Sequence, residues 1–385
     1  MAETVTQKDW GAELRGYLDQ AATKAMDAAK TGAEATVSDL FIAPMVPVCV
    51  KRGKELVPLG PACSPEDTRA LVEQIYEIAG RMDRYPFFQE SGDDDFAMSV
   101  PGCRFRVNTY RQRGSLAAVL RVVPYTVPDP AQMNIPDMVM ELAGVTHGLM
   151  LITGTAGSGK STTQACIIDR IRKTRSGHIV TLEDPIEYLY NYRDVDFESI
   201  KARCIVSQRE IGSDTMDYSS GLRACLREAP DVIVLGEMRD PETIRTAMTA
   251  AETGHLVITT MHTDGAANSI DRIIDVFPSD QQKQIRSQLS MVLRAVVCQK
   301  LLPLKDGGGL VPAFEVMRVS DSIAAIIRGG KTNQIYSYFA NGRDVSLDQS
   351  ILKLYREERI TRETALDNAE DKSEMEETLS KLNGR

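Results

Sequence analysis

Several common features are missing from this 385-residue sequence, and each absence excludes a class of protein. No uninterrupted apolar run approaches the roughly 18 residues that a membrane-spanning helix needs. The first ten residues, M-A-E-T-V-T-Q-K-D-W, contain no apolar core of the kind found in a secretion signal. The net charge is −9, with a pI near 5.2, which argues against a broad nucleic-acid surface. We therefore expect a cytoplasmic protein with no transmembrane segment and no direct nucleic-acid partner.

The cysteines form no recognisable pattern, and no C-x-x-C pair occurs. A tetracysteine zinc site is therefore not expected. An odd number of scattered cysteines is typical of reduced, mostly buried thiols. The seven cysteines are Cys49, Cys63, Cys103, Cys166, Cys204, Cys225 and Cys298.

The clearest motif that is present is a glycine-rich loop between an apolar strand and a helical segment. Residues 149–153 predict a buried strand, and residues 162–172 have helical spacing. Between them lies G-x-x-x-x-G-K-S, the phosphate-binding P-loop pattern, in the context that it requires. The alternative is a chance match in a glycine- and serine-rich turn. The residues predicted to contact nucleotide are Gly154, Thr155, Ala156, Gly157, Ser158, Gly159, Lys160, Ser161 and Thr162.

The residue types of this loop suit a nucleoside triphosphate. Glycines let the backbone approach phosphate oxygens closely, and the start of a helix adds partial positive charge. Lys160 can reach the β- and γ-phosphates, and Ser161 can offer its hydroxyl to Mg²⁺. We therefore predict that the loop binds a nucleoside triphosphate together with Mg²⁺.

A second motif, P-D-V-I-V-L-G-E-M-R-D, places a carboxylate directly after a predicted strand. Residues 232–235 are continuously apolar, and Glu237 follows their carboxyl end. In a parallel sheet this edge is where ligands bind, so Glu237 can orient Mg²⁺ or the attacking water. The alternative is that Glu237 is only a charge near the start of the next helix.

A third motif, T-L-E-D-P-I-E-Y, crowds three carboxylates after another predicted strand. Glu183, Asp184 and Glu187 occupy five positions, and Mg²⁺ would relieve their repulsion. A solvated turn is the alternative. We predict Glu187 as catalytic, and Ser161, Glu183 and Glu237 as the Mg²⁺ ligands.

A fourth motif, E-T-G-H-L-V-I-T-T-M-H-T, contains two of the four histidines, one on each side of a strand predicted at residues 256–260. His255 and His262 lack the third ligand that a zinc site needs. A histidine beside a γ-phosphate can sense it by donating a hydrogen bond. Each histidine is also consistent with a core or helix-capping role.

Together these motifs resemble the PilT-like secretion ATPases, whose four boxes are called Walker A, Asp box, Walker B and His box. The resemblance covers residues 37 to 365 and rests on stretches in the family's order. The four stretches are G-T-A-G-S-G-K-S-T-T, L-E-D-P-I-E, V-L-G-E-M-R-D-P-E-T-I-R and A-A-E-T-G-H-L-V-I-T-T-M-H-T.

The resemblance implies an α/β fold in which a RecA-like P-loop ATPase core follows a smaller α+β, PAS-like N-terminal domain and precedes a helical C-terminal region. It also implies ATP and Mg²⁺ as cofactors, and a homohexameric ring with nucleotide between the two domains. Carried over by position, Glu187 and Glu237 match the acidic pair, and His255 and His262 match the phosphate-linked histidines. Arg113 and Arg121 are the candidates for arginines that reach the γ-phosphate, and Arg111 could replace Arg113.

The predicted domain boundaries follow from changes in the composition and hydrophobic pattern of the sequence. Residues 1–36 are an extension with a thin helical stripe, more typical of a surface helix or a loosely held segment than of a partner-binding helix. Residues 37–123 form the N-terminal domain, 124–132 a proline-rich linker, and 133–365 the ATPase domain with its helices. Residues 366–385 are a charged tail, which we expect to be exposed or frayed.

The resemblance implies a motor at the inner face of the cytoplasmic membrane, docked on a platform protein of a pilus or secretion machine. Two departures leave its output open. The segment Y-L-Y-N-Y-R-D-V-D lengthens the chain after Glu187, as a partner-contact loop or a longer surface loop. The retraction-motor motif A-I-R-N-L-I-R-E is here S-I-A-A-I-I-R-G, residues 322–329. The favoured function is pilus retraction with twitching motility. The alternatives are a type IVB secretion ATPase resembling DotB, a nucleotide-gated scaffold with little hydrolysis, and a DNA-directed motor.

Overall fold

The fold was analysed in a computed structural model, which describes residues 9–31, 37–52, 55–100, 103–123, 127–190, 204–341 and 344–383. Contacts divide these residues into two units. The first contains the described residues up to 123 together with 187–190, and the second contains 127–186 and the described residues from 204 onward. Most of the predicted lengthening after Glu187 lies outside the described residues.

The first unit is built on a six-stranded antiparallel sheet. Its strand order is β3-β2-β1-β6-β5-β4. The strands are β1 Val37–Ile42, β2 Pro47–Arg52, β3 Glu55–Ala62, β4 Asp93–Val100, β5 Cys103–Gln112 and β6 Ser115–Val123. The helices of this unit are α1 Trp10–Thr31, α2 Pro65–Ala79 and α3 Tyr85–Ser91.

Helix α2 has a well-defined cap at each end. Ser64 caps it through a reciprocal capping box with Asp67, and Gly80 ends it in the left-handed conformation. Its apolar face, which includes Leu71 and Ile75, is fully buried.

One expectation for the first unit needs correction. Helix α1 is not loosely held, because Leu14 and Leu18 are fully buried in the core of this unit. The acidic run at 93–95 forms the start of β4. Asp94 is buried there and paired with Arg84, which satisfies the charge that burial would otherwise make costly.

The second unit is an α/β domain around a seven-stranded sheet of order β13-β12-β7-β11-β10-β8-β9. Its strands are β7 Gly148–Thr153, β8 Gly177–Glu183, β9 Cys204–Glu210, β10 Val232–Leu235, β11 Leu256–Met261, β12 Leu293–Pro303 and β13 Leu310–Arg318. Its helices are α4 Asp137–Met140, α5 Lys160–Thr174, α6 Tyr218–Cys225, α7 Pro241–Glu252, α8 Ala266–Asp275, α9 Ser279–Val292, α10 Asp321–Gly329, α11 Leu347–Arg356, α12 Arg362–Asn368 and α13 Lys372–Asn383. Short 3₁₀ segments lie at Glu141–Gly144 and Thr332–Asn341.

The register of the central strands determines where loops meet. Strand β7 pairs in parallel with β11 and with β12, and β10 pairs in parallel with β11 and with β8. Every residue of β7 and β11 is buried, as expected for strands inside a parallel sheet. The carboxyl ends of β7, β11, β10 and β8 therefore lie at one edge. The predicted α/β core with a parallel sheet is confirmed.

The C-terminal third is less helical than the sequence predicts. The apolar residues from Ile285 to Val296 have continuous helical spacing, but α9 ends at Val292 and β12 begins at Leu293. Strand β12 then pairs antiparallel with β13. The charged tail is also wrong as an exposed or frayed segment, because Met375 and Leu379 of α13 are buried against other C-terminal residues.

The cysteines agree with the expectation of reduced, mostly buried thiols. All seven are free, and six are buried. Burial raises the pKa of Cys103 and Cys298 to about 11, and that of Cys166 and Cys225 to about 12. These thiols are therefore protonated and unreactive at neutral pH. Within the described ranges, no helix combines the length and apolarity needed to cross a membrane.

The docking of α1 can be tested by removing one buried side chain. We expect Leu18→Ala to lower the free energy of unfolding by about 3 kcal/mol, because it leaves a cavity under a fully buried residue. Urea unfolding followed by circular dichroism measures the change. Gln20→Ala, on the exposed face of the same helix, is the control. Equal midpoints for the two variants would show that α1 is only loosely held.

Candidate functional site

The glycine-rich loop connects the buried end of β7 to the start of α5, as predicted. Gly159 precedes α5 with a φ of 88°, which favours glycine. A Cβ on Gly154 would lie 2.3 Å from the backbone oxygen of Gln299 in β12, and one on Gly159 would lie 2.7 Å from the Gln299 amide nitrogen. Both glycines are therefore required by the close approach of β12 beneath the loop.

Lys160 is the first residue of α5, and its side chain folds back over the loop. Its ammonium group donates hydrogen bonds to the carbonyl oxygens of Gly154 at 2.9 Å and Thr155 at 2.8 Å. One turn later, Gln164 donates to the carbonyl of Leu235, the last residue of β10, at 3.3 Å. These bonds fix the cationic group and connect the loop to the neighbouring acidic motif.

Glu237 lies just past the carboxyl end of β10, at the same sheet edge as the glycine-rich loop. Arg239 lies 2.7 Å from its carboxylate. The preceding backbone is held from β11, since Thr260 donates to the carbonyl of Gly236 at 2.5 Å. From the other side the hydroxyl of Tyr218 lies so near Gly236 that a Cβ there would be 2.5 Å away. Glu237 therefore extends from a firmly held turn.

Glu183 ends β8, the next strand in the sheet. Its carboxylate accepts hydrogen bonds from Thr181 at 2.6 Å and Gln208 at 3.1 Å. Burial raises the pKa of Tyr218, and the charges of Glu237, Asp184 and Glu183 raise it further. The structure therefore brings Glu183, Asp184 and Glu237 into one acidic region around the Tyr218 hydroxyl.

His262 follows β11 and completes this edge of the sheet. Its Nε2 lies 3.7 Å from the Glu237 carboxylate, and both line a shallow pocket of about 250 Å³ with Arg239 and Arg272. Burial lowers the pKa of His262, Lys160 lowers it further, and Glu237 opposes the shift. The imidazole is therefore neutral at pH 7, with one N–H available as a donor.

Within this unit His255 does not lie at the edge with His262, and its role as a phosphate-linked residue stays a prediction. It precedes β11, so it lies on the order of 20 Å from His262 along the strand, at roughly 3.3 Å per residue. Its Nδ1 donates to the carbonyl oxygen of Ala250, the acceptor, at 2.9 Å. The two histidines belong to one sequence motif, but the strand between them sends them to opposite edges. Within this unit, His255 caps the end of α7.

The oxygen ligands at the edge suit Mg²⁺ bound with phosphate rather than a cation held by protein alone. The described residues contain no cluster of three or more His, Cys, Asp or Glu arranged to hold a metal. A hydroxyl at Ser161 and a carboxylate at Glu237 are hard ligands of the type that Mg²⁺ shares with phosphates and water. Ser161 and Glu237 therefore fit the ion. Glu183 is already held by Thr181 and Gln208, and its role as a ligand stays a prediction.

The remaining predicted site residues belong to the first unit. Glu187 is exposed and groups with that unit by its contacts. Arg113 lies in the tight turn between β5 and β6 with a φ of 48°, and Arg121 on β6 pairs with Asp39 at 3.0 Å. Arg111 donates to the backbone of Gln89 at 2.8 Å. Their contributions to catalysis stay predictions.

Sequence reasoning missed three side chains that shape this site. They are Tyr218 beside the acidic region, Arg239 on Glu237, and Gln299 beneath the glycine-rich loop. Arg239 could have been predicted from the sequence, since it lies inside the second motif, two residues after Glu237. Gln299 lies 136 positions after its hydrogen-bond partner Thr163. No local pattern could have connected those two residues.

A buried carboxyl supports the loop that carries His262. Glu315 of β13 is fully buried and accepts a hydrogen bond from the backbone N–H of Ala266, the first residue of α8, at 2.6 Å. Its second oxygen has no partner among the described residues. Burial raises the pKa of Glu315 to about 7, and the nearby Glu370 carboxylate adds to the shift. A proton on the second oxygen removes the cost of a buried charge.

Comparisons with known proteins agree along most of the chain. A family model described as "Type II/IV secretion system protein" matches residues 93–380. The "Type IV pilus retractation ATPase PilT" of Pseudomonas aeruginosa is 39% identical over 346 residues, covering 89% of this chain and 95% of that protein. The crystal structure of the pilus retraction motor PilT with bound ADP matches with a TM-score of 0.80 at 41% identity, covering 92% of this chain and 99% of that chain. The Legionella pneumophila ATPase DotB matches with a TM-score of 0.77 at 26% identity, covering 95% and 97%.

The raised pKa of Glu315 predicts a pH dependence of stability. The folded carboxyl keeps its proton to about pH 7, whereas an unfolded one loses it near 4.5, so the folded state binds more protons between these values. The free energy of unfolding should therefore fall as pH rises from 4.5 to 7, by up to about 3 kcal/mol. Glu315→Gln should remove this fall and unfold at higher urea than the unmodified chain at pH 8.

Urea unfolding of both proteins at pH 5 and pH 8 makes the comparison. Glu363→Gln, at an exposed position on α12, controls for the general loss of one negative charge. If Glu315→Gln and the unmodified chain lose stability equally between the two pH values, Glu315 is already ionised in the folded protein.

Proposed function

The chain belongs to the Type II/IV secretion system protein family, as its resemblance to the PilT-like secretion ATPases predicted, and from this premise we propose that it powers a pilus-retraction or related secretion machine. Its reaction is the hydrolysis of ATP to ADP and phosphate. The observation that carries the proposal is the meeting of Lys160, Glu237 and His262 at one sheet edge, within a chain that matches PilT over nearly its full length.

Each residue at this edge has a role in the proposed reaction. The glycine-rich loop and Lys160 bind the phosphates and stabilise negative charge on them. Mg²⁺, held through Ser161 and Glu237, would supply further charge neutralisation when it is bound. Glu237 also orients the attacking water, and neutral His262 donates a hydrogen bond toward the γ-phosphate. Because Arg239 pairs with Glu237, it holds the carboxylate in place until phosphate competes for the guanidinium.

We further propose that the chain works as a homohexameric ring on an inner-membrane platform protein at the cytoplasmic face of the membrane. Contacts of the γ-phosphate with Arg113 and Arg121 would hold the two domains together. Hydrolysis would remove those contacts and let the domains move. Glu187 would complete the acidic pair.

Retraction is favoured over a DotB-like role by similarity. The PilT structure is 41% identical to this chain and the DotB structure 26%, at comparable coverage. Helix α10, where retraction motors carry the motif A-I-R-N-L-I-R-E, is formed here, but it has few of that motif's charges. A gated scaffold that binds nucleotide without turnover is the competing class.

Turnover by purified protein tests the ATPase motor. We expect Mg²⁺-dependent hydrolysis by a particle of about six chains, and a loss of at least about 100-fold in kcat for Glu237→Gln because the water is no longer oriented. Phosphate release measures turnover, light scattering in ATP measures the mass, and a fluorescent ADP analogue measures binding.

The control for this experiment is Glu363→Gln, which removes an exposed carboxylate on α12. Turnover equal to that of the unmodified chain is expected. A monomer with negligible turnover would overturn the ring motor in favour of the gated scaffold. Full activity in Glu237→Gln would instead move the catalytic role to another carboxylate, with Glu187 the next candidate.

The output of the motor can be tested in cells. In a bacterium that lacks its own retraction ATPase, the unmodified chain should restore twitching zones on agar, and Glu237→Gln at equal expression should not. Active purified enzyme that never restores twitching, but restores export in a strain lacking a type IVB secretion ATPase, would assign the DotB-like role.

A further inference from the structure

Gln299 is a buried amide that contacts the glycine-rich loop and the helix after it. Only 4% of the residue is exposed. Its side-chain oxygen accepts a hydrogen bond from the hydroxyl of Thr163 in α5 at 2.6 Å. Its amide nitrogen lies against Gly159, and its backbone oxygen lies against Gly154, both too close for a Cβ to fit. One residue of β12 therefore meets both ends of the loop and the first turn of α5.

An amide side chain is unusual in the buried, mostly apolar surroundings of Gln299. The preceding residues of β12, from Ala295 to Cys298, are buried and apolar or weakly polar. In such a strand an apolar side chain of the same length would avoid the cost of removing an amide from water. The hydrogen bond to Thr163 repays part of this cost, and it ties β12 to the nucleotide-binding helix.

The loop depends on outside support because its own side chains provide little. The hydroxyl of Ser158 is buried and has no hydrogen-bond partner among the described residues. Gly154, Gly157 and Gly159 all have positive φ, so the loop backbone has no Cβ at these points to restrict it. In addition to the hydrogen bonds from Lys160, contact with β12 therefore limits the loop to one curvature.

We propose that Gln299 is a positioning residue for nucleotide binding, which fixes the curvature of loop 154–159 and the start of α5 so that Lys160 and Ser161 meet the phosphates. Its side chain is hydrogen-bonded to α5 and lies against the loop rather than at the acidic edge. The support acts on ADP and ATP alike, because both place phosphates in the loop. Loss of Gln299 should therefore raise Kd and KM while kcat changes little.

The experiment compares Gln299→Met with the unmodified full-length chain. We expect about a tenfold rise in the Kd for Mg²⁺-ADP, the size expected for one buried hydrogen bond, measured with a fluorescent ADP analogue. KM for ATP should rise in parallel, and kcat should change less than about twofold. Gln334→Met, at an exposed position in the segment Thr332–Asn341, is the matched control and should leave Kd unchanged.

Two further variants separate positioning from packing. Thr163→Val removes the donor to Gln299 and keeps the shape, so its loss of affinity should not add to that of Gln299→Met. Gln299→Glu keeps the acceptor but places a negative charge beneath the phosphates, so it should weaken binding more than Gln299→Met. If Gln299→Met does not fold, these two variants still test whether Gln299 positions the loop.

Thermal unfolding without nucleotide provides the decisive comparison. Variants that melt earlier yet bind Mg²⁺-ADP with unchanged Kd would overturn the proposal and make Gln299 a packing residue. A kcat loss with unchanged Kd would also overturn it. An unmodified chain that binds no Mg²⁺-ADP would count against the ATPase site itself, which is a different failure.

Discussion

The structure depends on the parallel hydrogen bonding of β7 to β11 on one side and to β12 on the other. Because these strands run in the same direction, the loops that leave their carboxyl ends lie side by side. The glycine-rich loop after β7 is then within reach of His262 after β11, and β10 brings Glu237 to the same edge. No one of these loops is long enough to build the site alone. The sheet assembles it from pieces that are far apart in sequence.

The phosphate-binding half of this site was predictable because its signal is local. Strand, glycine-rich loop and helix follow one another within 149–172, and each part restricts the next. The role of Glu237 was equally predictable from the sequence, since a carboxylate directly after a buried strand lies at the sheet edge where ligands bind. The strands predicted beside the third, second and fourth motifs are confirmed as β8, β10 and β11 for the same reason, since each is a short apolar run bounded by turn residues.

The parts that sequence reasoning missed depend on long-range pairing. The apolar residues at the start of β12 continue the spacing of α9, so nothing local marks the change from helix to strand at Leu293. Gln299 contacts the glycine-rich loop only because β12 pairs with β7 in the folded sheet. His255 shows the reverse effect, because one sequence motif places its two histidines at opposite ends of a full strand. Helix α13 looked like a charged tail, since only Met375 and Leu379 among many charges face a core.

Strand β11 also determines which movements the domain can make. It is bonded in register to β7 along its whole length and to β10 at four positions. A slip by one residue would turn every side chain of this fully buried strand to the opposite face. The strand is therefore held in a fixed register, with His255 at one end and His262 at the other. Movement by sliding of strands within the sheet is therefore excluded, and the domain has to move as a unit or through the loops and helices attached to the two edges of the sheet.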